Sequence, residues 1–270
     1  MFTINPFAGL SASLSPAVMQ TYVVVMFLLV VAGTLFDVVH KGSAKYFFQN
    51  FRKSKAKAAR PLGGGELMSI AVQTAVVDVL ASGEFCNPRR RIAHLLGMYG
   101  FVLYVLATVV LVFDASASPV WTRLWWLGGL AICAGGYWFW FFIRVDVAAE
   151  GNSPLRLVKA DLFILSMLAS ATLGLAWAAS GGGLGVLFGL YILATTVLFA
   201  GVPWSKFAHM FFKPAAAFEK RVSKANGTAE NLPTQTRDDP EQQKRHSMEL
   251  LRDAPMDMGL GIKREAPRHY

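Results

Sequence analysis

Ala17-Val-Met-Gln-Thr-Tyr-Val-Val-Val-Met-Phe-Leu-Leu-Val-Val-Ala-Gly-Thr-Leu-Phe-Asp-Val-Val39 carries charge only at Asp37. A helix needs roughly 20 apolar residues to cross a hydrocarbon core about 30 Å thick, so this run predicts a transmembrane helix. Further runs of that kind lie near residues 92–113, 124–143, 162–179 and 184–204. Lipid offers no partner for free backbone amides and carbonyls, and the runs are too long for barrel strands, so each segment must be helical. The expected fold is all-α: a polytopic membrane protein of about five transmembrane helices, with interfacial amphipathic segments between them.

Composition agrees. Hydrophobic residues make up 54% of the 270 positions and charged residues 16%, leaving more apolar surface than a soluble domain of this size can hide. Basic residues fix the orientation, because Lys and Arg are retained on the cytoplasmic side of short loops. Ten lie between Lys41 and Arg91, three between Arg144 and Lys159, and twelve after Trp204, while Arg123 alone falls in the opposite connections. The expected topology places the N-terminus outside and the C-terminus inside a bacterial inner membrane. The net charge of +9 then marks topology and anionic lipid contact, and no nucleic-acid partner is expected.

The stretch 1–15 lacks the basic region of a signal peptide, so the first helix is expected to be retained. Cys86 is expected on the inner side and Cys133 inside the third span, so the two cannot readily pair, and no dense Cys pattern exists to hold an iron–sulfur cluster. The membrane domain is drawn at 1–221. Residues 222–270 read as a disordered cytoplasmic tail, rich in proline and mixed charge, with a short helix at most between Glu241 and Arg252.

The long inner connection interleaves aromatics with cations from Lys41 to Lys57. That pattern suits either an ordinary positive-inside loop or an interfacial helix, with rings at headgroup depth and Lys53, Lys55 and Lys57 available to lipid or to an acidic partner. Residues 67–81 are apolar enough to bury but too short to cross, and are expected on the membrane or against a partner. The Gly63-Gly64-Gly65 run lacks the following Lys-Ser/Thr of a phosphate loop and reads as a hinge.

Five histidines bound the redox chemistry. His246 and His269 fall in the tail, whereas His40, His94 and His209 lie at span ends on the inner side. A b-type haem needs two facing imidazoles. His94 with His209, or either with His40, could hold one haem b; interfacial hydrogen bonding explains the same residues without a cofactor. The block Tyr137-Trp138-Phe139-Trp140-Phe141-Phe142 is explained by an aromatic belt and, less economically, by a quinone headgroup pocket. The charged turn of Arg144, Asp146, Glu150, Arg156, Lys159 and Asp161 reads as neutralised helix ends. No nucleophile–base arrangement is evident, so independent catalysis, including lipid chemistry, is not expected. A small transporter is disfavoured by the scarcity of mid-membrane charge and of paired broken helices.

Four strings carry a resemblance: Val39-His-Lys-Gly-Ser-Ala-Lys-Tyr-Phe-Phe; Ser82-Gly-Glu-Phe-Cys-Asn-Pro-Arg-Arg-Arg-Ile-Ala-His94; Gly136-Tyr-Trp-Phe-Trp-Phe-Phe-Ile-Arg-Val-Asp-Val-Ala-Ala-Glu-Gly; and Val202-Pro-Trp-Ser-Lys-Phe-Ala-His-Met-Phe-Phe-Lys-Pro. From about Val38 to Arg221 the chain resembles the membrane anchor associated with dissimilatory adenylylsulfate reductase in sulfur-oxidising bacteria. More distantly, it is similar to the cytochrome b subunits of quinone-interacting oxidoreductase and heterodisulfide-reductase-like complexes. The resemblance implies a non-catalytic subunit that docks a cytoplasmic flavin and iron–sulfur reductase, which oxidises sulfite with AMP and delivers electrons to quinone. The cytochrome relatives carry two haems on four histidines. Here only His94 and His209 match positions in those motifs, which argues against a transmembrane electron wire through this chain alone.

Overall fold

A computed structural model of the chain describes residues 2–41, 43–83, 85, 88–144, 155, 157, 161–204 and 209–228. Among them there is no strand. Eight α-helices are seen: α1 (Pro16–Lys41), α2 (Ser43–Ala56), α3 (Gly64–Gln73), α4 (Pro88–Phe113), α5 (Pro119–Trp138), α6 (Leu162–Ala179), α7 (Val186–Ala200) and α8 (His209–Ala225). Helices α1, α4 and α5 open on proline, whose fixed φ and missing N–H suit the first helical position. At α5 the preceding Ser118 hydroxyl also accepts from the Val120 amide.

Among the described residues, four helical segments are long and apolar enough to cross a membrane: Pro16–His40, Pro88–Phe113, Pro119–Ile143 and Leu162–Ala179. The fifth expected span is shorter than its apolar run. Its helix has 15 residues, about 22 Å at 1.5 Å per residue, and Gly201 follows before a 3-10 turn at Val202–Trp204. Two helices widen at their ends. The stretch expected at 67–81 divides into α3 and a π turn, Thr74–Leu80, where the Thr74 hydroxyl donates to the Ile70 carbonyl at 2.8 Å and competes with the regular ladder. A second π turn, Phe139–Ile143, ends α5. Such bulges cluster at functional positions.

The chain divides into two compact units. Unit 1 comprises residues 1–42, 92–144 and 155–210 and holds the long helices. Helices α4 and α5 pack backbone to backbone. A Cβ on Gly128 would lie 2.7 Å from the Tyr104 amide nitrogen, and one on Gly135 would lie 2.7 Å from the Ala93 carbonyl oxygen. In lipid the hydrophobic effect does not drive helices together, so close approach over small residues supplies the attraction. Against α7, α1 hydrogen-bonds through the Tyr22 hydroxyl, which meets the Ile192 carbonyl at 3.1 Å. Asp37 is 4% exposed, so the one acidic side chain of the first span is turned into protein.

The residues before α1 close one end of this bundle. Phe7 and Leu10 are 6% and 2% exposed, and Phe7 sits between the rings of Trp125 and Trp177, with centroids at 6.0 and 5.2 Å. The Asn5 side-chain amide donates to the Leu111 carbonyl at 2.9 Å. Gly182, at φ +69°, lets the chain pass close to the Pro6 carbonyl, where a Cβ would lie 2.7 Å away.

Unit 2 comprises residues 43–91, 145–154 and 211–270. Its described part joins α2, α3 and α8. Ser54, 1% exposed, and Ser223, 1% exposed, share a hydroxyl contact of 3.1 Å. The Asn226 side-chain amide donates to the Ser54 hydroxyl at 3.0 Å. Helix α8 therefore stays packed to Ala225, past the position where sequence draws the start of the tail. The expected helix between Glu241 and Arg252, His246, His269 and Cys86 lie outside the described residues.

Candidate functional site

The polar groups of unit 1 form a chain of hydroxyls in its interior. On α7, Thr195 donates to the Tyr191 carbonyl at 2.8 Å, and its oxygen lies 2.7 Å from the Ser170 hydroxyl of α6. On α4, Thr108 donates to the Tyr104 carbonyl at 2.7 Å and accepts from the Trp125 indole at 3.0 Å. Most of these protons are spent on helix carbonyls, as hydrocarbon surroundings require. Tyr104 is different. It is 6% exposed, stacks on Trp125, gives its proton to no helix carbonyl, and lies against the hydroxyl of Tyr191 on α7.

Around Tyr104 lies a cavity with about 60 Å³ open to the centres of water-sized atoms. Its walls come from α1, α4, α5, α6 and α7 with Phe7, and they are nearly all hydrocarbon, Met26, Phe101 and Phe199 among them. Gly174 makes room for the Tyr104 hydroxyl, since a Cβ there would strike that oxygen and reach 3.0 Å from the Tyr191 ring. None of these residues stands out in the sequence as a site. The signal that could have found them is hydroxyls four apart within apolar spans, Tyr104 with Thr108 and Tyr191 with Thr195.

A second polar centre lies where α5 ends and α6 begins. Arg144 binds Asp161 through two guanidinium nitrogens, Nε at 3.1 Å and Nη2, and the side chains are 11% and 10% exposed. The same guanidinium carbon lies 4.0 Å from the Trp140 ring centre, an added cation–π contact. Two members of the charged turn thus form a buried pair, an arrangement far costlier to break by removing one partner than an exposed pair. Asp146, Glu150, Arg156 and Lys159 lie outside the described residues. Tyr137, in the aromatic block, meets the Thr172 hydroxyl at 2.8 Å, and Phe141 and Phe142 are 53% and 79% exposed, as belt residues facing lipid would be.

The candidate haem ligands occupy helix ends. His40 is exposed and stacks on Phe36 at 5.2 Å, and His94 is exposed on the second turn of α4. His209 opens α8, its side chain lying outside the described ones. Neither described imidazole is buried in the packed interior. Among the described residues no group of three His, Cys, Asp or Glu side chains is placed to hold a metal ion.

In unit 2, Lys53, Lys55 and Lys57 are all exposed, and the first two lie in the last turn of α2, where the helix dipole favours cations. Ion pairs brace the unit. Arg60 holds Glu66 through both guanidinium ends, and this hydrogen bonding lowers the Glu66 pKa. Arg221 holds Asp78, and hydrogen bonds from Arg221, outweighing burial, lower the Asp78 pKa. Burial alone raises the pKa of Glu219.

Comparison with known proteins adds one partial likeness. The chain is similar to citrate utilization protein B of Escherichia coli, 29% identical over 163 residues, covering 55% of this chain and 43% of that protein. The match thus spans less than half the length of the relative. No family model matches the chain, and no solved structure matches it.

Proposed function

We propose that this chain is a five-span inner-membrane anchor that holds a cytoplasmic adenylylsulfate reductase at the membrane and links it to the quinone pool. The observation that carries the reading is unit 2. The end of α2 and the turn after it, with Lys53, Lys55 and Lys57 exposed, are braced by buried hydroxyl contacts and by the Asp78–Arg221 pair, giving a fixed cationic surface. Fixed cations suit an acidic partner and anionic headgroups alike, and they act mainly on association rate and salt sensitivity. The four quoted strings support the same reading by resemblance. A single-haem cytochrome b subunit would need His94 and His209, or His40, to face one another. A transporter would need charge at mid-membrane, and the interior polar groups around the cavity are neutral hydroxyls.

The test is to neutralise Lys53, Lys55 and Lys57 together and measure both insertion of the anchor and recovery of adenylylsulfate reductase with the membranes. Recovery should fall with rising ionic strength in the parent and be weaker throughout in the variant, while insertion is unchanged. A reductase that stays soluble at low salt whether or not the chain is present would overturn the proposal.

A further inference from the structure

We infer that α3 and the π turn after it form an in-plane foot, lying at the boundary of lipid headgroups and acyl chains with Met68, Val72, Val76 and Leu80 inserted among the chains. The inference stands on α4 being a membrane span and on no docked partner. It begins from two registers in one segment. Ile70 and Thr74 are buried and Asp78 is held by Arg221 of α8, so positions 70, 74 and 78 face the rest of unit 2. Met68, Val72, Val76 and Leu80, also four apart, are 51–66% exposed. In a regular α-helix of 3.6 residues per turn, positions four apart drift by about 40° around the axis at each step. The π turn, Thr74–Leu80, bonds i to i+5 and rotates less per residue, so it turns that drift back and keeps the four side chains in line. Widening the helix straightens an apolar ridge.

What covers the ridge follows from its attachments and its chemistry. Arg91, in the first turn of α4, donates from Nε to the Ala81 carbonyl at 2.8 Å, and the Gly83 amide closes the turn onto the Val77 carbonyl at 2.7 Å. The end of the ridge is thus held within one side chain's length of the start of a helix long enough to cross the membrane. Lipid headgroups come within its reach. Composition points the same way, because the centres of protein interfaces are built on Trp, Tyr and Arg, with Leu and Val under-represented. This ridge is Met, Val and Leu, and the polar side chains exposed between residues 67 and 77 are the neutral Ser69 and Gln73. Charge waits beyond its end, where Arg89 is exposed at the start of α4, the placement in which a cation meets headgroup phosphate while apolar side chains enter the acyl region.

The test uses the full chain in phosphatidylcholine and phosphatidylglycerol vesicles with bromine on the acyl chains. A nitrobenzoxadiazole dye is attached at Val72→Cys, Val76→Cys or Lys57→Cys after the exchanges Cys86→Ser and Cys133→Ala. Acyl bromine should quench the dye several-fold more strongly at 72 and 76 than at 57, and aqueous iodide should do the reverse. Ridge dyes open to iodide overturn the inference. Ridge dyes shielded from both quenchers overturn it too, since a second copy or another protein would then cover the face. On the unaltered protein, a phosphatidylcholine carrying a diazirine on its acyl chain should label a peptide from residues 67–80, a readout that requires no variant to fold. Absence of label from that peptide, with the long helices labelled, overturns the inference. Neither assay contains a reductase, so the anchor proposal stands or falls separately.

Discussion

The Asp78 carboxylate accepts from Arg221 twice, from Nε at 2.5 Å and from Nη2 at 2.8 Å, and so ties the π turn after α3 to α8 across 143 positions of sequence. The pair is partly open to solvent, with side chains 26% and 12% exposed for Arg221 and Asp78. Bidentate geometry strengthens it and solvent screens it, so its worth is about 1 kcal/mol. Asp78→Asn should accordingly loosen unit 2, read as faster proteolysis between residues 57 and 63 in the detergent-solubilised protein.

The same pair sets a pH dependence. Asp78 has a folded pKa below its unfolded value, so its contribution is complete above the unfolded pKa, about 3.9, and is lost as pH falls through the folded one. Glu219, raised by burial, acts oppositely: its ionisation at neutral pH opposes the fold, and acidification through its raised pKa relieves that. Proteolytic resistance of unit 2 should fall at the acid limit in the parent, and the Asp78→Asn variant should show a smaller fall.

At Gly174 an added methyl meets the Tyr104 hydroxyl and the Tyr191 ring. Gly174→Ala should cost about 1–3 kcal/mol by overpacking, measured as a lower melting temperature in detergent. Tyr104→Phe removes the nearer obstacle, so the double variant should recover part of the loss. Additive losses would show that the two positions do not touch.

Gly128 offers no such relief. Its neighbours are the Tyr104 amide and the Gly100 carbonyl, backbone atoms at 2.7 and 2.8 Å from a Cβ. Gly128→Ala should separate α4 from α5 and lower the yield of monodisperse protein more than Gly174→Ala does.

Topology and haem are checked directly. Reporter fusions at Ser116 and Gly182 should read as outside, and those at Lys55, Asn152 and Gly227 as inside. A pyridine haemochrome assay should return a haem to protein ratio of zero or one, and a ratio near two would show that the ligand set extends beyond His40, His94 and His209.

Helices were legible in the sequence because apolar length alone specifies a span, and α1, α4, α5 and α6 lie where their runs predict. The π turn after α3 was not, because it opens at a hydroxyl, Thr74, that hydropathy does not register. The packing of residues 2–15 was not legible, since it depends on contacts of Asn5 and Phe7 with residues more than a hundred positions away. The lysines of α2 were visible as charge beside aromatics. The cavity was hidden, because Tyr104, Gly174 and Tyr191 are each ordinary in an apolar helix and acquire meaning only where three helices meet.

The brevity of α7 bears on the bilayer itself. About 22 Å of helix presents Val186, Leu193 and Val197 outward, 80%, 59% and 38% exposed, along a flank some 8 Å shorter than the surrounding hydrocarbon. With α7 as the fifth span of the proposed anchor, lipid along that flank must thin, or the helix must borrow length from Val202–Trp204, and either adjustment carries a hydrophobic-mismatch cost. Acyl-chain length thus becomes a variable of this protein's stability: reconstituted in short-chain phosphatidylcholine it should melt higher than in long-chain lipid, and in a mixed membrane it should gather the thinner lipids around α7.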